Sequence, residues 1–196
     1  MPRAKQRTPQ LHDHVLSVAV DLLASEGVAG FTARRVARES HTSTPAVYEL
    51  FGDKAGLVRE VFFEGFRLLR YRLDTLGNSG DPRADLIRLV ELYRSFVIEN
   101  SVLAQVMFSR PFSDFDPALS DLAASSSVRV FVVERVRRCT TAGLLHGDET
   151  DIAHALVALI QGLADAENAQ RLGSTRKSID RRWSLAVNAL LDGLSR

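Results

Sequence analysis

The chain has almost no cysteine. Cys139 is the single one in 196 residues, which excludes an intrachain disulfide framework and fits a reducing cytosol. Long apolar runs are missing too: the longest uncharged apolar-rich stretch, Ile152 to Ala164, is too short to span a bilayer. No charged start followed by an apolar segment marks a signal peptide, so the expectation is a soluble, cytoplasmic protein. Catalytic patterns are also absent. There is no glycine-rich phosphate loop, and the histidines His12, His14, His41, His146 and His154 are scattered. His146, Asp151 and His154 lack the spacing of a known metal site, so no enzyme activity, cofactor or metal is expected. Cys139 repeats at helical spacing with apolar neighbours and reads as core, not as a redox sensor.

Net charge is small at +1, but it is unevenly spread. Residues 1–72 carry 11 Lys/Arg against 8 Asp/Glu, a net +3, and residues 73–196 carry 14 against 16, a net −2. The basic excess therefore sits at the start of the chain, where a nucleic-acid partner would be met. With 45% apolar residues the chain can bury a substantial core.

The stretch Thr32 to Lys54, TARRVARESHTSTPAVYELFGDK, reads as two short helices joined by a tight turn. Thr32 is a candidate N-cap, and Phe31 with Val36 forms a hydrophobic staple across it. Ala33, Val36 and Ala37 make the inner face, leaving Arg34, Arg35 and Arg38 outward. Ser40, His41 and Thr42 turn the chain, with His41 in the left-handed position that histidine tolerates better than most residues. Ser43 or Thr44 then caps a second helix with Pro45 in its first turn. Val47 and Phe51 face inward. Ser43, Thr44, Ala46, Tyr48 and Glu49 face outward, a set that includes hydroxyls suited to phosphates and base edges and a methyl suited to thymine. Lys54 opens the next helix, where its ammonium and the positive helix end would meet the same phosphate. This is a helix-turn-helix, a DNA-binding device.

Around it, helical periodicity dominates. Residues 1–8, with Arg3, Lys5 and Arg7, form a basic arm that can lie along a minor groove or be an ordinary solvated terminus. A helix from Pro9, with Leu11, Val15, Val18, Leu22 and Leu23 inside, stops at Gly27. After the turn motif, Ala55 to about Leu76 forms one long helix with Leu57, Val61, Phe62, Phe66, Leu69 and Leu73 inward. The cluster Gly77 to Pro82 is a loop. Helix five buries Leu86, Leu89, Val90, Tyr93, Phe96 and Val97; helix six, Ser101 to Ser109, carries Val102, Val106, Met107 and Phe108. A loop with Phe112 and Phe115 leads to helix seven, from Asp116–Pro117 towards Gly143. Its middle is β-branched enough for a strand, but Val128, Val132, Val136 and Cys139 repeat at helical spacing. Helix eight, about Asp151 to Arg171, is rich in small residues, and helix nine, Ser178 to Leu194, has a seam of Ile179, Trp183, Val187, Leu190 and Leu194. Two such helices paired across a two-fold axis would make a four-helix bundle. The fold class is all-α, about nine helices: a three-helix head over residues 1–54 and a helical body over 55–196.

The turn motif resembles the DNA-binding domain of TetR-family (tetracycline-repressor-like) transcriptional regulators. Thr32, Arg34, Val36, Ala37, Ser43, Val47, Tyr48, Phe51, Lys54 and Leu57 stand at the family's spacing. The resemblance implies that Tyr48 and Lys54 contact phosphates and that Ser43, Thr44 and Ala46 face the groove. Three positions depart from the family pattern: His41 stands for a usual glycine, Thr42 for a usual valine and Leu50 for a usual polar residue. The same resemblance implies a homodimer formed through the last two helices, here through Ala158, Gly162, Trp183, Val187, Leu190 and Leu194. It also implies a largely apolar ligand pocket in the body. The candidates are Phe62, Phe66, Tyr93, Phe96, Met107, Phe108, Phe112, Phe115 and Phe131, with Tyr93 and Gln161 as the polar groups.

The expected function is a DNA-binding transcriptional regulator, a repressor released from its operator by a small apolar ligand. Two alternatives stand beside it. One is a DNA-binding regulator without a ligand; the other is a helical carrier or interaction module that has lost DNA binding, since Glu49 places a carboxylate where phosphate would repel it.

Overall fold

The computed structural model describes residues 8–108 and 119–195, and in 119–125 the backbone only. Among the described residues there are nine helices and no strand: α1 (Pro9–Gly30), α2 (Ala33–Glu39), α3 (Thr44–Phe51), α4 (Lys54–Asp74), α5 (Pro82–Glu99), α6 (Ser101–Phe108), α7 (Leu119–Thr141), α8 (Glu149–Asn168) and α9 (Arg176–Gly193). No helix among them is long and apolar enough to cross a membrane. They pack as two compact units. One comprises the chain up to Arg67 with Asn100–Leu122; the other comprises Leu68–Glu99 and Ala123–Arg196. Helix α4 contributes to both.

In the first unit, Thr8 caps α1, its hydroxyl accepting from the Leu11 amide at 3.3 Å with Pro9 in the first turn. The inner face is Val15, Leu16, Ala19, Leu22 and Leu23; Val18, expected inside, is half-buried because Leu16 and Ala19 define the face. Gly27 breaks the helix as expected, at φ +70°, but a further turn follows it to Gly30. Glycine reaches that angle without the clash a Cβ would bring. Helices α1 and α2 pack together, as do α2 and α3, and α6 lies against α1. Helix α4 passes close to α6 at Gly65, where a Cβ would come within 2.6 Å of the Met107 sulfur. In α6, Leu103, Ala104, Val106 and Met107 are buried, and Val102, expected to be among them, is half-exposed.

The second unit is held by apolar faces and by two ionic knots. Leu86, Leu89, Val90, Tyr93, Phe96 and Val97 of α5 are buried, as are Val132, Val136 and Cys139 of α7 and Ile152, Leu156 and Ile160 of α8. Helical spacing thus prevailed over the β-branched composition of α7. The first knot centres on Asp85, only 1% exposed. It accepts from the Ser79 amide at 2.9 Å and hydroxyl at 2.6 Å and pairs with Arg88 and Arg138. Ser79's hydroxyl bond, then that of Arg138, holds this carboxyl far below the usual carboxylate range. Arg135, itself buried, donates to the carbonyls of Leu76 and Gly77 and so fastens the α4–α5 loop to α7. The second knot joins α5, α8 and α9. Arg94 donates to both oxygens of Glu167, each at 2.8 Å, and to Asp180 at 2.8 Å, while the Trp183 indole N–H donates to Glu167 at 2.6 Å.

Candidate functional site

The helix-turn-helix is built by local chemistry. Thr32 is extended and its hydroxyl accepts from the Arg35 amide at 3.2 Å, starting α2. Phe31, Ala33, Val36 and Ala37 are buried, which sets Arg34 and Arg38 outward. Arg35 pairs with Glu26 and ties α2 to α1.

The turn that follows is a Schellman motif. The amide of His41 donates to Arg38 at 3.2 Å, and that of Thr42 donates to Ala37 at 2.9 Å. Both bonds need a left-handed residue at position 41, and His41 has φ +53°. Ser40 adds a hydroxyl bond to the Val36 carbonyl at 2.7 Å. Thr42 is the weak member: its hydroxyl oxygen is buried without a partner among the described residues.

Ser43 then caps α3, accepting from the Ala46 amide at 3.2 Å with Pro45 in the first turn. Val47 and Phe51 are the buried face. Outward stand Ser43 and Glu49, both exposed, and Tyr48, 43% exposed, while Thr44 and Ala46 are half-buried. Gly52 ends α3 at φ +82°. Asp53 accepts from the Gly56 amide at 2.7 Å and caps α4 one residue before Lys54; this cap was not foreseen, although an Asp before a periodic helix is the usual signal. Thr32, Arg34, Ser43, Thr44, Ala46, Tyr48 and Lys54 thus all belong to the one unit that carries the turn. Arg3, Lys5 and Arg7 lie outside the described residues.

The residues expected to line a ligand site fall into two sets. Phe62, Phe66 and Phe108 stack edge to face, with ring centroids 4.9 Å apart for Phe62–Phe66 and 5.7 Å for Phe66–Phe108, and Met107 is buried in the same unit. Such contacts are favourable beyond the area they bury. In the second unit, Tyr93 is buried with its hydroxyl bonded to Gln161, and burial pushes that hydroxyl's pKa up, so it stays neutral. Phe96 is buried with the Arg72 guanidinium 5.6 Å from its centroid. Phe131 is half-buried between the guanidinium groups of Arg70 and Arg135, 5.0 and 4.7 Å from its ring. Phe112 and Phe115 lie outside the described residues.

The residues named for a dimer seam also separate. Ala158 and Gly162 of α8 are exposed, and Leu190 and Leu194 are partly so. Trp183 and Val187 are buried within the chain itself, Trp183 by Arg94 and Glu167. The outward apolar residue of α9 is Leu185, 68% exposed, which the periodic seam did not include. His146 and His154 serve locally: the His146 amide donates to Leu194, and the His154 ring bonds the Thr150 carbonyl of its own helix.

Comparison with known proteins agrees with this geometry. Residues 15–61 match the model for bacterial regulatory proteins of the tetR family, and residues 86–190 match that for the tetracyclin repressor-like C-terminal domain. No curated protein sequence matches the chain. Among solved structures, a protein of unknown function from Rhodococcus sp. RHA1 is 24% identical with a TM-score of 0.82, covering 99% of this chain and 100% of that one. The TetR-family transcriptional regulator PfmR from Thermus thermophilus is 19% identical at a TM-score of 0.68, covering 93% and 99%. The fatty acid degradation regulator FadR from Bacillus halodurans is 13% identical at 0.73, covering 95% and 97%. At these identities the structures speak for the fold, and the two sequence models for the family. With a capped reading helix in its first third and a matching body domain after it, the chain belongs to the TetR family of transcriptional regulators.

Proposed function

We propose that this regulator is a homodimeric repressor that leaves its operator when a small apolar molecule enters the body. The observation that carries the reading is the course of α4. It opens at Lys54, directly after the reading helix, and about two turns later carries Phe62 and Phe66 into the aromatic cluster with Phe108. A ligand wedged among those rings would tilt the helix whose start anchors the reading surface. In a dimer that tilt changes the separation of two reading helices, which must match half-sites about one helical turn apart or a multiple of it.

In this reading residues 1–54 are the DNA-binding head and 55–196 the ligand-binding and dimerisation body. Tyr48, Lys54, Thr32 and Arg34 hold phosphates, joined by Arg3, Lys5 and Arg7; Ser43, Thr44 and Ala46 face the groove. The dimer forms through the outward faces of α8 and α9, with Ala158, Gly162, Leu190 and Leu194. No enzyme chemistry enters.

The test is capture of sheared genomic DNA by the chain, followed by titration of the retained fragment with and without a panel of apolar compounds. A compound that raises the melting temperature should weaken DNA binding by about 5- to 150-fold, the usual range of such coupling. Stabilising compounds that leave DNA affinity unchanged would exclude the release mechanism.

A further inference from the structure

The body carries a basic surface that the reading head does not account for. Between Arg171 and Arg182 there are five cations, Arg171, Arg176, Lys177, Arg181 and Arg182, against one acid, Asp180. All five are exposed. This stands in a part of the chain, residues 73–196, whose net charge is −2.

Two acids beside this surface are already engaged by a cation outside it. Asp180 and Glu167 both bond Arg94, whose side chain is only 14% exposed. Arg176 shares Asp180 at 3.2 Å, and Arg182 donates to the Leu172 carbonyl. Arg171, Lys177 and Arg181 have no acidic partner among the described residues.

The surface is also held in one shape. Thr175 and Ser178 form a capping box at the start of α9, and Gln170 at φ +56° closes α8. Gly173 lies so near the Arg182 guanidinium and the Ser178 hydroxyl that a Cβ there would collide with both. Lys177 and Arg181 stand four apart on one helical face, where like charges repel, and Arg176 and Lys177 occupy the first turn, where the helix dipole disfavours cations. An anionic partner relieves both conflicts.

We infer that this surface binds nucleic-acid backbone. Four of the five cations are arginines, whose planar forks suit phosphate oxygens. The two apolar residues of the stretch, Leu172 and Ile179, are both partly buried, so a bilayer would find nothing to insert there. The inference rests on the reading of the chain as a DNA-binding protein, whose partner is a polyanion.

The experiment uses the full chain and a mixed-sequence duplex of about four helical turns, with binding measured over a series of salt concentrations. Three proteins are compared: the parent, the triple variant Arg171→Gln, Lys177→Gln, Arg181→Gln, and the head variant Lys54→Gln. Glutamine keeps helix propensity, and an unchanged melting temperature and mass verify that the triple variant folds and assembles as the parent does. The triple variant should bind the duplex at least tenfold more weakly, with a log–log salt slope shallower by about 0.9 for each phosphate no longer neutralised. A triple variant with the parent's affinity and slope overturns the inference, as does a variant that loses binding to phosphatidylserine vesicles while keeping the duplex. If the parent itself does not bind the duplex, the DNA-binding reading fails instead, and the surface with it.

Discussion

The amide of Thr42 donates to the carbonyl of Ala37 at 2.9 Å, and it can do so only because His41 between them is left-handed, at φ +53°. That one residue turns the chain between α2 and α3. For an L-residue with a Cβ, this conformation costs roughly 1–2 kcal/mol, offset in part because glycine is harder to order from the unfolded chain. His41→Gly should therefore raise stability by about 0.5–1 kcal/mol. Denaturant unfolding reads this as a higher midpoint at unchanged slope; a lower midpoint would mean that the imidazole contributes more than its backbone angle costs.

Next to it, Thr42 buries a hydroxyl oxygen that finds no partner among the described residues. An unsatisfied buried polar atom costs about 1–3 kcal/mol, and valine has nearly the same shape without the oxygen. Thr42→Val should stabilise the head by about 1 kcal/mol and leave DNA affinity at low temperature unchanged. If the variant is less stable, an ordered water satisfies that hydroxyl in solution.

Asp85 makes a prediction about acid. Its carboxyl is held far below its ordinary value of 3.8, by the Ser79 hydroxyl first and then by Arg138. A carboxyl depressed in the folded state contributes stability that is complete above its unfolded value and is lost as pH falls below it towards the folded value. Asp85→Asn should thus be clearly less stable than the parent at pH 7, because Arg88 and Arg138 lose their shared counter-ion. The gap should narrow steadily below about pH 4. Unfolding midpoints of both proteins across that window decide it: a gap that is the same above and below it would assign the effect to shape and not to charge.

How far the sequence revealed all this depends on distance along the chain. The caps at Thr32 and Ser43, the left-handed His41 and the inward pair Val47 and Phe51 were legible because each is decided within a few residues. Gly27 was read as a stop, and the helix does break there, but nothing local announced the extra turn after it. Nothing local marked out the ionic roles of Asp85, Arg94 and Arg135. Their partners lie far away, 53 residues for Asp85–Arg138 and 73 for Arg94–Glu167. Periodicity marks which face of a helix is apolar, not which charged side chain will find a distant counter-ion. For the same reason Trp183 and Val187 looked available to a second subunit, whereas α5 and α8 cover them from within the chain.

The outward face of α8 offers the sharpest test of the proposed dimer. Gly162 is exposed, and a Cβ built there meets nothing within 4 Å. Within one chain, then, a side chain at this position has room, and Gly162→Ala should stabilise the helix by about 0.5–1 kcal/mol, the usual cost of an interior glycine. Between two chains the position behaves differently. Small residues allow close approach of paired helices, whose axes normally lie about 8–10 Å apart, and an indole placed between them would hold them apart. Gly162→Trp should therefore leave the melting of the single chain nearly unchanged while giving monomers by light scattering and weakened, concentration-dependent DNA binding. Because each half-site then has to be filled separately, most of the affinity should go. The alanine variant is the control: it tests helix propensity without obstructing a partner, and it should remain dimeric. If Gly162→Trp is still a dimer of normal mass, the face of α8 that carries Ala158 and Gly162 is not the interface, and the exposed side of α9 around Leu185 becomes the place to look.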